Sequence, residues 1–122
     1  MVIEEHVPAI QAIFQRAARN RGTVGYRSIY GLFDEDQRMS DRRDTFEAAC
    51  RELCPRETAI AEALFALKED GYPKHGFYEV FKTIRGDEYK EMAGTTHPTD
   101  LTLDQRRAIA DRERARVYAA IG

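Results

Sequence analysis

A regular apolar stripe along the first twenty residues constrains the fold of this chain more than any other feature. Ile3, Val7, Ile10, Phe14 and Ala17 are separated by four, three, four and three residues, which keeps them on one face of a helix. Such a helix is stable only when its apolar face packs against other elements. The pattern therefore predicts a helix over residues 3–20 docked on a core. Gly22 is expected to end it in the left-handed conformation.

The length and the net charge of the chain limit the number of domains and the kinds of ligand that the protein can bind. At 122 residues, with 43% hydrophobic and 33% charged residues, the sequence predicts a single globular domain over residues 1–122. The formal net charge is -2, which excludes a general polyanion binder with a basic surface all round. Nucleic-acid binding would therefore need a local cluster of basic side chains.

The middle of the chain predicts several short elements and leaves one segment open between helix and strand. Residues 23–26 read as a short extended segment and residues 28–33 as a brief helix. Ser40 or Asp41 is the expected N-cap of a third helix that ends near Leu53. Residues 56–68 fit either an alanine-rich helix or a strand that enters a hairpin turn at residues 69–71.

The C-terminal third is expected to be mostly helical. The pattern of residues 77–84 predicts a short amphipathic helix, and residues 86–101 read as a polar loop. Thr102 and Gln105 form a capping box, which predicts the start of the last helix over residues 102–122. That helix holds five arginines, which we expect to form ion pairs on a solvated face with Asp104, Asp111 and Glu113.

The order of these elements suggests a fold class. A helix, a short strand, two helices and a hairpin are typical of a winged-helix domain. We therefore expect an α+β fold that is mostly helical, with one β-hairpin and a C-terminal helix. Residues 1–85 form the winged-helix-like core in this interpretation, followed by the polar loop at 86–101.

In such a fold, several basic and aromatic side chains share one surface. The candidate nucleic-acid-binding residues are Tyr26, Arg27, Arg42, Arg43, Lys74 and His75. Six carboxylates near the proposed recognition helix act against a phosphate backbone; they are Asp34, Glu35, Asp36, Asp41, Asp44 and Glu47. A non-catalytic nucleic-acid-binding module is the leading hypothesis, and a protein-interaction or inhibitory accessory factor from a mobile element is the alternative.

Catalytic chemistry has little support in the sequence. No local cluster pairs Ser, Thr or Cys with His at a known spacing, so we expect no catalytic residues, no metal and no cofactor, although a pocket that combines His75 and His97 with carboxylates stays open. Cys50 and Cys54 lie four residues apart in a helical pattern and are expected to be reduced thiols. With no signal peptide and no long apolar run, these features predict a cytoplasmic protein.

Three segments resemble known proteins. Residues 63–78 are similar to an Ala-Leu-Val-Val-x-Lys-x-Thr-Gly-x-Pro-Gly-x-Gly-Phe-Phe pattern of small uncharacterised bacterial proteins. Residues 23–30 are similar to the Thr-Val-Thr-Tyr-Gly-Glu-Leu-Ala segment of the same proteins, and residues 113–118 to their C-terminal end. Arg27 and Ser28 replace their usual Gly-Glu pair, and Lys74 replaces a glycine.

The order of these segments also resembles the winged-helix DNA-binding domain of alkylguanine-DNA alkyltransferases and alkyltransferase-like proteins. The resemblance implies a strand over residues 62–68 and a DNA-binding surface. The reactive Pro-Cys-His-Arg segment of those enzymes is replaced here by residues 62–65, so alkyl transfer is not implied.

Overall fold

The N-terminal helix has the predicted apolar face. A computed structural model describes residues 1–122, in which a 3-10 turn at Glu4–His6 leads into α1, Val7–Arg19. The buried positions of α1 are Val7, Ile10, Phe14 and Ala18. The expected role of Gly22 is wrong: Arg21 takes the left-handed conformation, with φ 51°, because the Gly22 N–H bonds back to the Ala17 carbonyl at 2.8 Å.

The sheet is small and parallel. β1, Val24–Gly25, pairs with β2, Phe65–Ala66, in the register Val24↔Phe65 and Gly25↔Ala66. The two helices between the strands are α2, Tyr26–Tyr30, and α3, Met39–Leu53. The protein is therefore mostly helical with a two-stranded sheet, which agrees with an α+β class.

The predicted β-hairpin is wrong. A turn does form where it was expected, with a Leu67 N–H to Tyr72 O bond of 2.9 Å and Gly71 at φ 76°. No return strand follows, because Pro73 lacks an N–H donor and the chain enters α4, His75–Ile84. Of the expected strand over residues 62–68 only β2 is extended, and the preceding Ala61–Leu64 forms a buried 3-10 helix.

The start of α3 also differs from the prediction. Its N-cap is Arg38, and neither Ser40 nor Asp41 caps it. The Asp41 and Asp44 carboxylates each accept a 2.7 Å hydrogen bond from the Met1 ammonium group instead. The N-terminal segment is thereby held along α3, and two of the acidic groups next to this helix are paired with a cation.

The expected polar loop over residues 86–101 is wrong in its first half. Residues Gly86–Ala93 form α5, because the buried Tyr89 and Ala93 occupy one face four residues apart. The last helix, α6, spans Leu103–Ile121, and its predicted capping box is confirmed: the Gln105 N–H bonds to Thr102 Oγ1 at 3.1 Å.

Helix α6 fixes the segment that carries β2. The Arg114 guanidinium is buried and donates to three backbone carbonyls, those of Ala63 at 2.7 Å, Phe65 at 3.0 Å and Gly71 at 2.8 Å. Ala63 lies in the 3-10 helix, Phe65 in β2 and Gly71 in the turn that follows, so one side chain of α6 donates to three consecutive parts of this segment. The chain before and after β2 is held rigidly against the core as a result.

Candidate functional site

An open cleft of about 840 Å³ lies between α3 and α4. One wall comes from α2 and α3 and the other from α4, while the segment that includes β2 forms the floor. Because β1 and β2 pair in parallel, the residue after β1, Tyr26, is brought against Phe65 in the cleft. The short sheet thus positions the aromatic part of the site.

Stacked aromatic rings line the cleft. The Tyr26 ring stacks on Phe65 at a centroid distance of 4.4 Å and lies nearly parallel to Tyr30 at 6.2 Å. Phe46 packs edge-on against Phe65 at 4.9 Å. Phe46 and Phe65 are buried, whereas Tyr26 and Tyr30 are half-buried and keep some flat surface on which a planar ligand can stack.

Tyr26 and Lys74 are held together by two contacts. The Lys74 backbone N–H donates to the Tyr26 hydroxyl at 3.0 Å, and Lys74 Nζ lies 4.8 Å from the centre of the Tyr26 ring. Burial raises the pKa of Tyr26 to about 12, although the hydrogen bond from Lys74 acts in the opposite direction. The hydroxyl therefore keeps its proton at neutral pH and retains one O–H for a ligand.

The rim of the cleft is basic on two sides. Arg43 projects from α3, and Lys74 and His75 lie at the start of α4; all three are exposed. Neither Arg43 nor Lys74 forms an ion pair. The N-terminal end of α4 carries a partial positive charge beside them, which favours anions. Glu47 and Glu79 also line the cleft, so acidic groups lie in the same cleft as these cations.

The floor contains a buried ion pair whose two residues are not among the predicted site residues. Arg56 Nη2 donates to Glu62 Oε2 at 2.7 Å, and Glu62 is only 7% exposed. Glu62 Oε1 and Arg56 Nε are both buried and have no hydrogen-bond partner. A signal was present in the sequence: Glu62 is the single charged residue in the otherwise apolar segment 59–67.

The structure separates the six predicted site residues into two groups. Tyr26, Arg43, Lys74 and His75 meet at the cleft. Arg27 is exposed on α2 outside the cleft. Arg42 turns toward the preceding loop and donates to three backbone carbonyls; they are Gln37 at 3.0 Å, Asp34 at 2.8 Å and Glu35 at 3.1 Å.

Comparison with known proteins adds no relative. No protein-family model, no curated protein and no solved structure matches this chain. No helix has the length and apolar character needed to cross a membrane. Cys50 and Cys54 are free and buried, as expected, and burial raises the pKa of both thiols.

Proposed function

We propose that this protein is a non-catalytic module that binds nucleic acid across the cleft between α3 and α4. The observation that carries the proposal is the combination of stacked aromatic rings inside the cleft with two unpaired cations, Arg43 and Lys74, on its rim. Flat rings favour exposed bases, and rim cations favour phosphates. The same division of roles is found in proteins that bind single strands.

The distribution of charge supports this assignment. Asp41 and Asp44 pair with the Met1 ammonium group, so they repel a phosphate less than their number suggests. The Tyr26 hydroxyl and the N-terminal end of α4 offer further donors next to Lys74. Arg42 supports the loop before α3 in this assignment and makes no phosphate contact.

The resemblance to alkyltransferase-like proteins fits part of this surface. In the proposal, α2 and α3 act as the helix-turn-helix half of a winged-helix-like surface. The turn at residues 67–72, which ends at Lys74, takes the position of the wing. Arg27 extends the surface along α2 without entering the cleft.

Fluorescence anisotropy with a labelled single strand and a labelled duplex, titrated at several salt concentrations, tests this function. We expect micromolar or tighter binding at low salt that weakens steeply as salt rises, because phosphate contacts release counterions. The double variant Arg43→Gln with Lys74→Gln is expected to weaken binding at least tenfold and to reduce the salt slope by one to two units, about 0.7–0.9 for each lost contact.

Arg51→Gln is the matched control. Arg51 is exposed on the same helix as Arg43 but does not line the cleft, and its loss changes the net charge equally. An equal loss of affinity in Arg51→Gln and in Arg43→Gln would show that total charge, and not the cleft, governs binding. Absence of binding to either nucleic acid at low salt would refute the proposal.

A protein partner is the second candidate, and one observation favours it. Met39 lines the cleft at the start of α3 and is 61% exposed, so it offers an apolar contact on an accessible part of the cleft. Met39→Gln distinguishes the two candidates, because it removes an apolar contact and leaves every cation in place. Nucleic-acid affinity is expected to be unchanged by this variant.

A further inference from the structure

Two side chains that line the cleft, Glu62 and Arg56, each keep one buried polar atom without a hydrogen-bond partner. Glu62 and Arg56 are joined through Oε2 and Nη2, and Oε1 and Nε flank that same bond without partners. Burying a polar group without a hydrogen bond typically costs about 1–3 kcal/mol. The rest of the core avoids this cost, since the only other unpaired buried side-chain atom is His6 Nε2.

The two atoms define what would complement them. Oε1 is an acceptor and Nε–H is a donor, and the ion pair that carries them is neutral as a whole. A ligand group that satisfies both must present one donor beside one acceptor and needs no net charge. The edges of nucleobases have this arrangement, for example the exocyclic amino group and the neighbouring ring nitrogen of adenine.

The rest of the cleft agrees with a base at the floor. Its volume of about 840 Å³ lies within the usual range for small-ligand sites. The half-buried rings of Tyr26 and Tyr30 contribute accessible aromatic surface to the same cleft. Arg43, Lys74 and the start of α4 lie at the rim, where a phosphate attached to the same nucleoside would be placed.

We infer that the cleft is a site for a single unpaired nucleotide, whose base edge donates to Glu62 and accepts from Arg56 while its phosphate lies at the rim. The inference rests on the proposed function for the role of the rim cations. Two sources supply this chemistry, a free mononucleotide and an unpaired nucleotide within a strand. In both cases Glu62 is the residue that recognises the base edge.

Deleting one donor from the ligand tests this directly. AMP is compared with purine riboside 5′-monophosphate, which lacks only the exocyclic amino group, by isothermal titration calorimetry. A twelve-residue strand with one central adenine among abasic nucleotides is compared with the same strand in which that adenine lacks the amino group. We expect the analogue to bind about tenfold more weakly than its parent, because a buried acceptor loses its donor.

The variant Glu62→Gln links the discrimination to the protein. Its amide oxygen can still accept from Arg56, which leaves an NH₂ group that cannot accept from the base. We expect the affinity ratio of parent to analogue to fall to near one, with thermal melting confirming that the variant is folded. Glu57→Gln is the control, because it makes the same chemical change on an exposed side chain outside the cleft and should keep the ratio.

The outcomes separate the two proposals. Discrimination with free nucleotides but no strand binding would support the site and refute the proposed function. Discrimination only within a strand would support both and identify the strand as the source. Equal affinities for parent and analogue in the unmodified protein would overturn the inference, and salt-dependent strand binding would then still leave the proposed function standing. No binding by any probe would overturn both.

Discussion

Two buried glutamates in this protein differ in how many hydrogen bonds their carboxylates accept. Glu113 on α6 is 0% exposed and accepts four hydrogen bonds: from Arg85 Nε at 2.9 Å, Arg85 Nη2 at 2.9 Å, Arg116 Nη1 at 2.8 Å and the Ile60 N–H at 2.7 Å. Glu62 on the cleft floor accepts one. Both oxygens of the Glu113 carboxylate accept hydrogen bonds within the protein, whereas Oε1 of Glu62 accepts none.

The difference indicates which part of the molecule is built for stability. Arg85 also donates to the Arg56 and Glu57 carbonyls, so the Glu113 network fixes the chain that leads into the cleft floor. A rigid network beneath an unsatisfied pair is the arrangement expected when a second layer of residues holds a binding site in place. Substitutions at Glu113 and at Glu62 test the structural role and the binding role separately.

Removing the Glu113 carboxylate should have the largest effect on stability. Glu113→Ala leaves the Arg85 charge without its buried partner and the Ile60 N–H without an acceptor, which is expected to cost about 3–5 kcal/mol. The free energy of unfolding in urea measures this. Asp111→Ala, an exposed position on the same helix, should change it by less than about 0.5 kcal/mol. A cost below about 1 kcal/mol for Glu113→Ala would contradict the structural role of the network.

Arg114→Met should have the next largest effect. It removes three donors from buried carbonyls and also the guanidinium 4.9 Å from the centre of the Tyr72 ring. We expect a loss of about 2–3 kcal/mol. The comparison variant is Arg112→Met on the exposed face of the helix. It loses one ion pair, in which Arg112 Nη1 lies 3.3 Å from Glu88 Oε1, and should lower the free energy of unfolding by less than about 1 kcal/mol. Equal losses would mean that burial of Arg114 contributes nothing.

The main helices could be predicted from the sequence because their signals are local. The apolar spacing of α1 and the capping box of α6 each lie within a few consecutive turns. The inward position of Glu113 was also visible: Ile109, Glu113 and Val117 follow one another at intervals of four on the buried face. The charged residue was nevertheless assigned to the solvated face, because its partner Arg85 is distant in the sequence.

The sheet and the cleft floor depended on contacts that no local pattern encodes. β1 and β2 pair about forty residues apart, and two-residue strands carry almost no periodicity. Four of the six predicted site residues, Tyr26, Arg43, Lys74 and His75, do meet at the cleft. Arg42 turns toward the preceding loop, and its proximity in sequence to Arg43 does not determine which way each side chain points from the helix.

The same substitution at both glutamates compares them directly. Glu62→Gln keeps an oxygen for the Arg56 guanidinium, which is 21% exposed and stays partly solvated once the carboxylate charge is lost, so the free energy of unfolding should change by about 1 kcal/mol or less. Glu113→Gln places an NH₂ group against donors on every side and should cost at least about 2 kcal/mol. Similar values for the two variants would remove the distinction between a structural and an unsatisfied carboxylate.

The partly buried ion pair of Asp70 and Arg106 provides the smallest expected effect and a pH dependence with a defined sign. The hydrogen bond from Arg106, and then that from the Tyr72 N–H, lower the pKa of Asp70 in the folded protein. A lowered folded pKa stabilises the protein above the ordinary Asp value of about 3.9, and this contribution is lost as the pH falls through the folded pKa. Asp70→Asn should therefore lower the melting temperature at pH 7, by an amount equivalent to less than about 1 kcal/mol, and have no effect near pH 2.

Asp100→Asn, an exposed position whose carboxylate has no hydrogen-bond partner, should leave the melting temperature unchanged at both pH values. A destabilisation by Asp70→Asn that is as large at pH 2 as at pH 7 would show that the side chain acts by shape alone, without its charge.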